Sequence, residues 1–308
     1  MKRLLDHASL LLLALAVLVF GLMEPRFWSW NNLTNLLTQS SSAMVAATGM
    51  TFVLLTAGVD LSLGAIMFLC AAVAGKLALA GHPVGLCVAA MLVCGAMCGA
   101  VNASAIVWLR VLPFVVTLAT LYLGRGLALS VTETRAMNLP EAFLTFGRPA
   151  CAIAIAAAVV IAAEVTLRVT VYGRHLYALG AGRRIAEYAG LPARRLTFSV
   201  YVVCGACAGL AALLTLGQLG AVSPKFGENR EFTAIAAAVL GGTSLFGGRG
   251  GVFPGAVLGA LLMQSIESGL VMVNADPYLY PMIMAAAIFA AVLLDARRRA
   301  TQDGHYRE

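Results

Sequence analysis

The sequence predicts an all-α polytopic membrane protein, a transmembrane helical bundle of about ten spans (eight to ten) at roughly 20 apolar residues each. Three observations predict it. Of the 308 residues, 61% are hydrophobic and only 11% are charged, where a soluble domain carries roughly 25% charged residues. The apolar residues form continuous runs such as Leu10–Phe20 and Ala152–Ala163, whereas strands of a membrane barrel alternate apolar and polar residues. The arginines gather beside these runs, so the net charge of +7 reads as an orientation signal and not as a nucleic-acid surface. A soluble enzyme, a disulfide scaffold, a coiled coil and a disordered chain are set aside together.

The elements follow in order. Met1-Lys2-Arg3 precedes an apolar run to Met23, and Gly21-Leu22-Met23-Glu24-Pro25 makes a poor cleavage site, so this is a first span and not a signal peptide. Further spans are expected at about 43–57, 61–80, 84–109, 113–131, 149–169, 197–216, 232–246, 252–273 and 278–295. The pieces at 43–57 and 232–246 are short and flanked by glycine, and are expected as broken or re-entrant helices. Such breaks are tolerated only inside protein or against water. With both termini cytoplasmic, 14 of the 21 Lys and Arg residues fall on the cytoplasmic side, among them Lys2, Arg3, Arg297, Arg298, Arg299 and Arg307. Glu24, Glu133, Glu141, Glu228, Glu231 and Asp276 then fall in outer loops. Residues 1–308 read as a single transmembrane domain with a long cytoplasmic loop at about 170–197 and longer outer loops at 132–148 and 217–231.

Packing leaves its own signature. Gly95-x-x-x-Gly99, Gly205-x-x-x-Gly209 and Gly255-x-x-x-Gly259 each set two glycines on one helical face, which lets backbones approach closely, within the chain or between subunits. The seven cysteines all lie in apolar segments and read as small membrane-core residues.

Catalytic patterns are missing. The chain has no Gly-x4-Gly-Lys-Ser/Thr, no His-Glu-x-x-His and no Gly-x-Ser-x-Gly, and its four histidines are far apart in sequence. If ATP drives this protein, another chain binds it. Three segments are informative instead. Gly58-Val59-Asp60-Leu61-Ser62-Leu63-Gly64 sets an acid at a junction of spans, either as the N-cap of the next helix or in a solute path. In Tyr172–Pro192, Ile185, Tyr188 and Ala189 share a helical face between basic flanks, and Gly190 ends a short helix that lies on lipid or docks into a partner. Ala236–Gly251 packs glycines densely enough to break a helix. Glu164 and Arg168, four residues apart, read as a structural pair.

In this order the three segments resemble the permease subunits of bacterial ABC importers for simple sugars, the ribose/xylose/arabinose type. Leu109–Thr120, Arg125-Gly126-Leu127-Ala128 and Phe232–Gly251 add to the likeness, which covers about Asn31 to Asp295. The resemblance implies a second permease chain in a homodimer or heterodimer, a cytoplasmic ATP-binding subunit that holds ATP and Mg, and a periplasmic solute-binding protein. It implies no cofactor in this chain, no catalytic residue and no metal, and a multi-pass place in the bacterial inner membrane.

It also implies that residues 173–191 couple to the ATPase, through Gly173, Arg174, Tyr177, Arg183, Arg184, Ala186 and Gly190. Candidate pathway residues are Asp60, Asn102, Gln264, Glu267 and Asn274. Gln264, Glu267 and Ser268 share one helical face, and Glu267 is an ionisable group in an apolar run. Glu133, Arg135, Lys225, Glu228 and Arg230 are candidates for docking the binding protein. The cargo expected is a monosaccharide. A polyol, a nucleoside, a furanone signal or the machinery of a stand-alone secondary transporter are the alternatives.

Overall fold

A computed structural model of the chain describes residues 8–276, 278–283, 285, 286, 288, 289, 292 and 293. The helices are α1 (Ala8–Met23), α2 (Trp30–Leu55), α3 (Leu63–Leu79), α4 (Val84–Val107), α5 (Pro113–Thr132) and α6 (Pro149–Val169). Then come α7 (Val171–Ala181), α8 (Arg183–Tyr188), α9 (Ala193–Leu219), α10 (Arg230–Leu240) and α11 (Val257–Met272). Among the described residues, five helices are long and apolar enough to cross a membrane: α4, α5, α6, α9 and the unit Val252–Met272 that ends in α11. α1 and α3 are shorter apolar helices. Of the last expected span, residues 279–283, 285, 286, 288, 289, 292 and 293 are helical. Lys2, Arg3, Arg297, Arg298, Arg299 and Arg307 lie outside the described residues.

The second expected span begins thirteen residues earlier than the hydropathy suggests, at Trp30 and not 43, and is not broken. Its N-terminal half is rich in Asn, Thr, Gln and Ser, which hides it from a hydropathy reading. The helix forms because Ser29 caps it, its hydroxyl accepting from Asn32 N–H at 3.2 Å. Inside it, Thr38 donates to Thr34 O at 2.6 Å, Ser41 to Leu37 O at 2.9 Å and Thr51 to Ala47 O at 2.7 Å. Hydroxyls bonded back to the previous turn no longer demand water.

α2 and α9 run through the middle of the bundle and are buried over most of their length. All three small-residue motifs are consumed inside the chain. A Cβ at Gly95 would collide with the Gly205 carbonyl, one at Gly205 with the Gly95 carbonyl, and one at Gly99 with the Tyr201 carbonyl. α4 and α9 therefore touch backbone to backbone. Gly255 and Gly259 likewise lie on Gly241 and Ala237, seating α11 on α10.

α10 is a half-length helix of 11 residues, about 17 Å long at the α-helical rise, as the broken piece at 232–246 requires. It stops at Gly241-Gly242. The turn that follows uses Gly242, Gly247, Gly248 and Gly250 at positive φ, where a side chain would be strained. Extended backbone at Phe253 (φ −113°, ψ 132°) then leads into α11.

The segment 170–197 is not a loop. It folds as α7, capped by Thr170, then Gly182, then α8, and α9 starts directly after Pro192. β1 (Met137–Asn138) pairs antiparallel with β2 (Ala221–Val222), joining the segments 132–148 and 217–231.

The packing yields a prediction. Gly95→Val and Gly205→Val should lower the thermal midpoint in detergent, by an overpacking cost of about 1–3 kcal/mol. Gly85→Ala and Gly126→Ala, whose added Cβ meets nothing within 4 Å, should leave it unchanged or raise it. Equal midpoints for all four would contradict the backbone contact.

Candidate functional site

The polar residues collect in four places, and the structure sorts the sequence candidates among them. The first lies where α7 and α8 meet the glycine-rich turn. Tyr177 donates its hydroxyl to Gly250 O at 2.8 Å. Gly248 N–H donates to Leu55 O, the last residue of α2, at 3.0 Å. Gly180 packs so closely on Leu55 O and Gly248 that a Cβ has no room there. From α6, the Glu164 carboxylate accepts from Val252 N–H at 3.1 Å and Phe253 N–H at 2.9 Å. Arg168 pairs with Glu164 and donates to Phe253 O at 2.9 Å. The structural pair expected from the i,i+4 spacing thus also holds the break before α11.

Within α8, Ala186 is 4% exposed and faces the bundle, while Ile185 is 76% and Tyr188 91% exposed. Arg183 pairs with Glu187 at 3.1 Å. Arg174 and Arg184 are exposed, Gly173 packs on Leu167, and Gly190 closes the helix at φ +79°. A large apolar side chain so open to solvent beside basic residues is an incomplete surface.

The second place is buried. Asp60 accepts from Ser62 N–H at 2.9 Å and from Ser62 Oγ at 2.6 Å. Asn102 Nδ2 donates to Ser62 Oγ at 2.8 Å, and Thr120 Oγ1 donates to Asn102 Oδ1 at 2.6 Å. Asp60, Ser62 and Asn102 are wholly buried. Asp60 is therefore not the N-cap of α3. It closes a turn two residues ahead of itself, before the helix begins at Leu63. Ser62 and Thr120 complete this chain. A hydroxyl beside the acid was legible in the sequence, but Thr120 was not, because nothing in the spacing shows which helices meet.

The third place is the polar half of α2. Gln264 Nε2 donates to Gln39 Oε1 at 2.9 Å, and Ser268 Oγ to Asn32 Oδ1 at 3.1 Å. Ser42 meets Thr215 at 2.8 Å, and Gln218 donates to Thr38 O at 2.7 Å. Glu267 is half-buried on the same stretch of α11. Asn274 is exposed in the turn after α11, at φ +53°. Of the pathway candidates, Asp60 and Asn102 share one network and Gln264 bonds Gln39 in another, while Glu267 lies beside the second and Asn274 in the turn after α11.

The fourth place is the platform built on β1 and β2. Glu133, Arg135, Lys225 and Glu228 are exposed and Arg230 is half-buried. Lys76 donates to Glu133 at 3.0 Å, and this ammonium, with Arg135 nearby, holds the Glu133 carboxyl below the usual carboxylate range. Glu231 corrects an expectation: it is not an outer-loop charge but is 3% exposed, in the first turn of α10 against Gly64. Its neighbour Gly227 meets Gly64 as well, so the loop folds inward before the helix starts.

Among the described residues no group of three or more His, Cys, Asp or Glu side chains is arranged to hold a metal.

A family model described as branched-chain amino acid transport system / permease component matches residues 32–293. The chain is 35% identical to the D-allose transport system permease protein of Escherichia coli (strain K12) over 299 residues, 94% of this chain and 91% of that protein. It is 34% identical to the ribose import permease protein of the same strain over 306 residues, 96% and 95% of the two chains. To the fructose import permease protein of Rhizobium meliloti it is 31% identical over 307 residues, 93% and 84% of the two. No solved structure matches the chain.

The buried chain of hydrogen bonds yields a prediction. Asn102→Leu leaves both Ser62 and Thr120 short of a partner, at a cost of about 1–3 kcal/mol. The unfolding midpoint should fall, and a further Thr120→Val should recover part of the loss. Two additive losses would show that the two side chains are not coupled.

Proposed function

The chain belongs to the family of branched-chain amino acid transport system permease components, and from that premise we propose how this member works and what it carries. It is the membrane-spanning permease subunit of an ATP-binding-cassette importer, a multi-pass protein of the inner membrane and a transport subunit, not itself an enzyme. Its cargo is a monosaccharide or a related small polar solute. The names of the allose, ribose and fructose permeases support this reading. The protein has eight to ten spans with both termini in the cytoplasm, and pairs with a second permease chain. A cytoplasmic subunit binds ATP and Mg, and a periplasmic binding protein delivers the solute to the platform of Glu133, Arg135, Lys225, Glu228 and Arg230.

The observation that carries the reading is the connection behind α8. Ile185 and Tyr188 stand open for a partner, and the helix behind them reaches the break before α11 through Tyr177 and Gly250. It reaches the end of α2 through Gly180, Gly248 and Leu55. A push on α8 from an ATPase dimer therefore moves two helices that both carry amide side chains, Gln39 and Gln264. Sugars require such donors and acceptors beside apolar surface. Glu267, next to Gln264 on the same face, adds an acceptor to that path.

Two outcomes are expected. Arg183→Glu with Arg184→Glu, or Ile185→Asp, should abolish co-purification of the ATPase expressed from the same gene neighbourhood and reduce uptake at least tenfold, with the permease still in the membrane. A purified chain that moves solute in liposomes without ATP would make it a secondary transporter. Glu267→Gln should reduce uptake several-fold while the ATPase still co-purifies. Unchanged uptake at matched membrane levels would remove Glu267 from the path.

A further inference from the structure

Glu231 has no part in the coupling, pathway or platform residues described above, and its setting is unusual. It is almost wholly buried in the first turn of α10, and its Oε2 has no hydrogen-bond partner among the described residues. What Oε2 meets is Gly64, in the first turn of α3, where the Gly227 carbonyl oxygen crowds the same spot. A buried acid oxygen set beside a second acceptor, with no donor for it, is costly.

Arg125 has the converse problem. It is the one charged residue of α5 and is half-buried, yet it forms no ion pair with another described residue. An ionisable group within an apolar span is expensive and calls for a partner. Its neighbour Gly124 lies on α3, where an added Cβ would stand 3.3 Å from the Ala65 Cβ. Arg125 and Glu231 thus approach adjacent residues of α3, Ala65 and Gly64, from two different helices. Arg125 is also the cation whose field reaches Glu231, while Glu228 and Asp60 oppose the charge there. Asp60 is no rival for the arginine, because Ser62 already holds its carboxylate in place.

We propose that Arg125 and Glu231 are the two halves of an ion pair that stands open in this structure and closes in the other state of the transport cycle, when α10 draws Glu231 off Gly64. α10 is the element placed to do this. Its start follows directly on the loop of Lys225, Glu228 and Arg230. Its end runs into the glycine turn, where Gly250 O takes the Tyr177 hydroxyl of α7. A displacement at either end is carried along 11 residues of helix to the other. Arg125 and Glu231 are therefore positioning residues, which act by fixing α10 against α5 once α10 has left α3. A guanidinium and a carboxylate pair in a planar fork, so the closed state is well defined in geometry. The inference rests on the importer reading above, since it needs a cycle with two states.

The test uses the full chain in membrane vesicles, with the ATPase and binding protein expressed from the same gene neighbourhood. ATP-driven uptake by the wild type checks the importer reading first, and its absence would remove that reading and this inference together. In Arg125→Cys/Glu231→Cys, a short bis-methanethiosulfonate linker is applied without nucleotide and again after trapping with ATP and vanadate. Peptide mass spectrometry reads the link between positions 125 and 231. Its yield should differ several-fold between the two conditions, and equal yield in both overturns the proposal while leaving the importer reading intact. Arg125→Gln and Glu231→Gln should each reduce uptake by about fivefold or more, and the double variant no further than the worse single one. Glu231→Gln keeps the shape of the side chain, so the thermal midpoint of the purified chain should hold or rise as uptake falls. A purely structural role would lower both together. If the cysteine pair does not fold, the glutamine variants decide. Additive losses, or unchanged uptake in both single variants, overturn the proposal as well.

Discussion

A break between two helices frees backbone amides, and something in the protein has to take them up. Before α11 that duty falls on Glu164. Its carboxylate receives two consecutive N–H groups, at Val252 and Phe253, and Arg168 both neutralises it and takes the Phe253 carbonyl. The half-length α10, the glycine turn and the change of direction into α11 are arranged around this one clamp. An acid in that setting holds two amides more strongly than a neutral side chain would, because hydrogen bonds to an ionised acceptor are roughly twice as strong. Its own charge is tolerable only because the arginine one helical turn further on is paired with it.

The clamp joins two kinds of packing. On one side α4 and α9 meet through interlocked glycines, carbonyl against Cα, with no side chain between them to rearrange. Such a contact has one well-defined distance and resists sliding. On the other side α2 and α11 are joined through side-chain amides and hydroxyls, Gln39 with Gln264 and Asn32 with Ser268, which can exchange partners at modest cost. The α4–α9 pair is a backbone-to-backbone contact, and the α2–α11 contact is made by side chains. Tyr177, Gly180 and Gly248 connect α7, just before the exposed α8, to α2 and to the break before α11, while Tyr172 meets Ser199 of α9 at 2.7 Å.

Much of this was legible in the sequence. The apolar runs from α3 to α6 lie close to where hydropathy places them, the short piece at 232–246 is a half-helix, and each small-residue motif marks a close contact. The misreadings share one cause: a property of a segment was used where a property of its neighbours decides. α2 looks too polar to be a long buried helix until its hydroxyls are seen bonded to its own carbonyls and to α9, and its amides to α11. Glu231 looks like a loop charge until Gly64 and Gly227 are seen to draw it inward. Thr120 carries no signal at all, since its role depends on a meeting of α4 and α5 that spacing along one chain does not encode. Asp60 stands out in the sequence as an acid at a junction of spans, and its bonds to Ser62 remove the N-cap reading.

The sideways bonding of α2 also sets a timetable. Its hydroxyl at Ser42 waits for Thr215, 173 residues later in the chain, and Gln39 waits for Gln264, 225 residues later. At a synthesis rate of about 5–20 residues per second, those partners leave the ribosome roughly 10–45 s after α2 does. For that interval α2 is an amphipathic segment with its amides unanswered and too little apolar surface to settle in lipid alone. The insertion machinery, or the neighbouring α1 and α3, has to keep custody of it until the last third of the chain arrives.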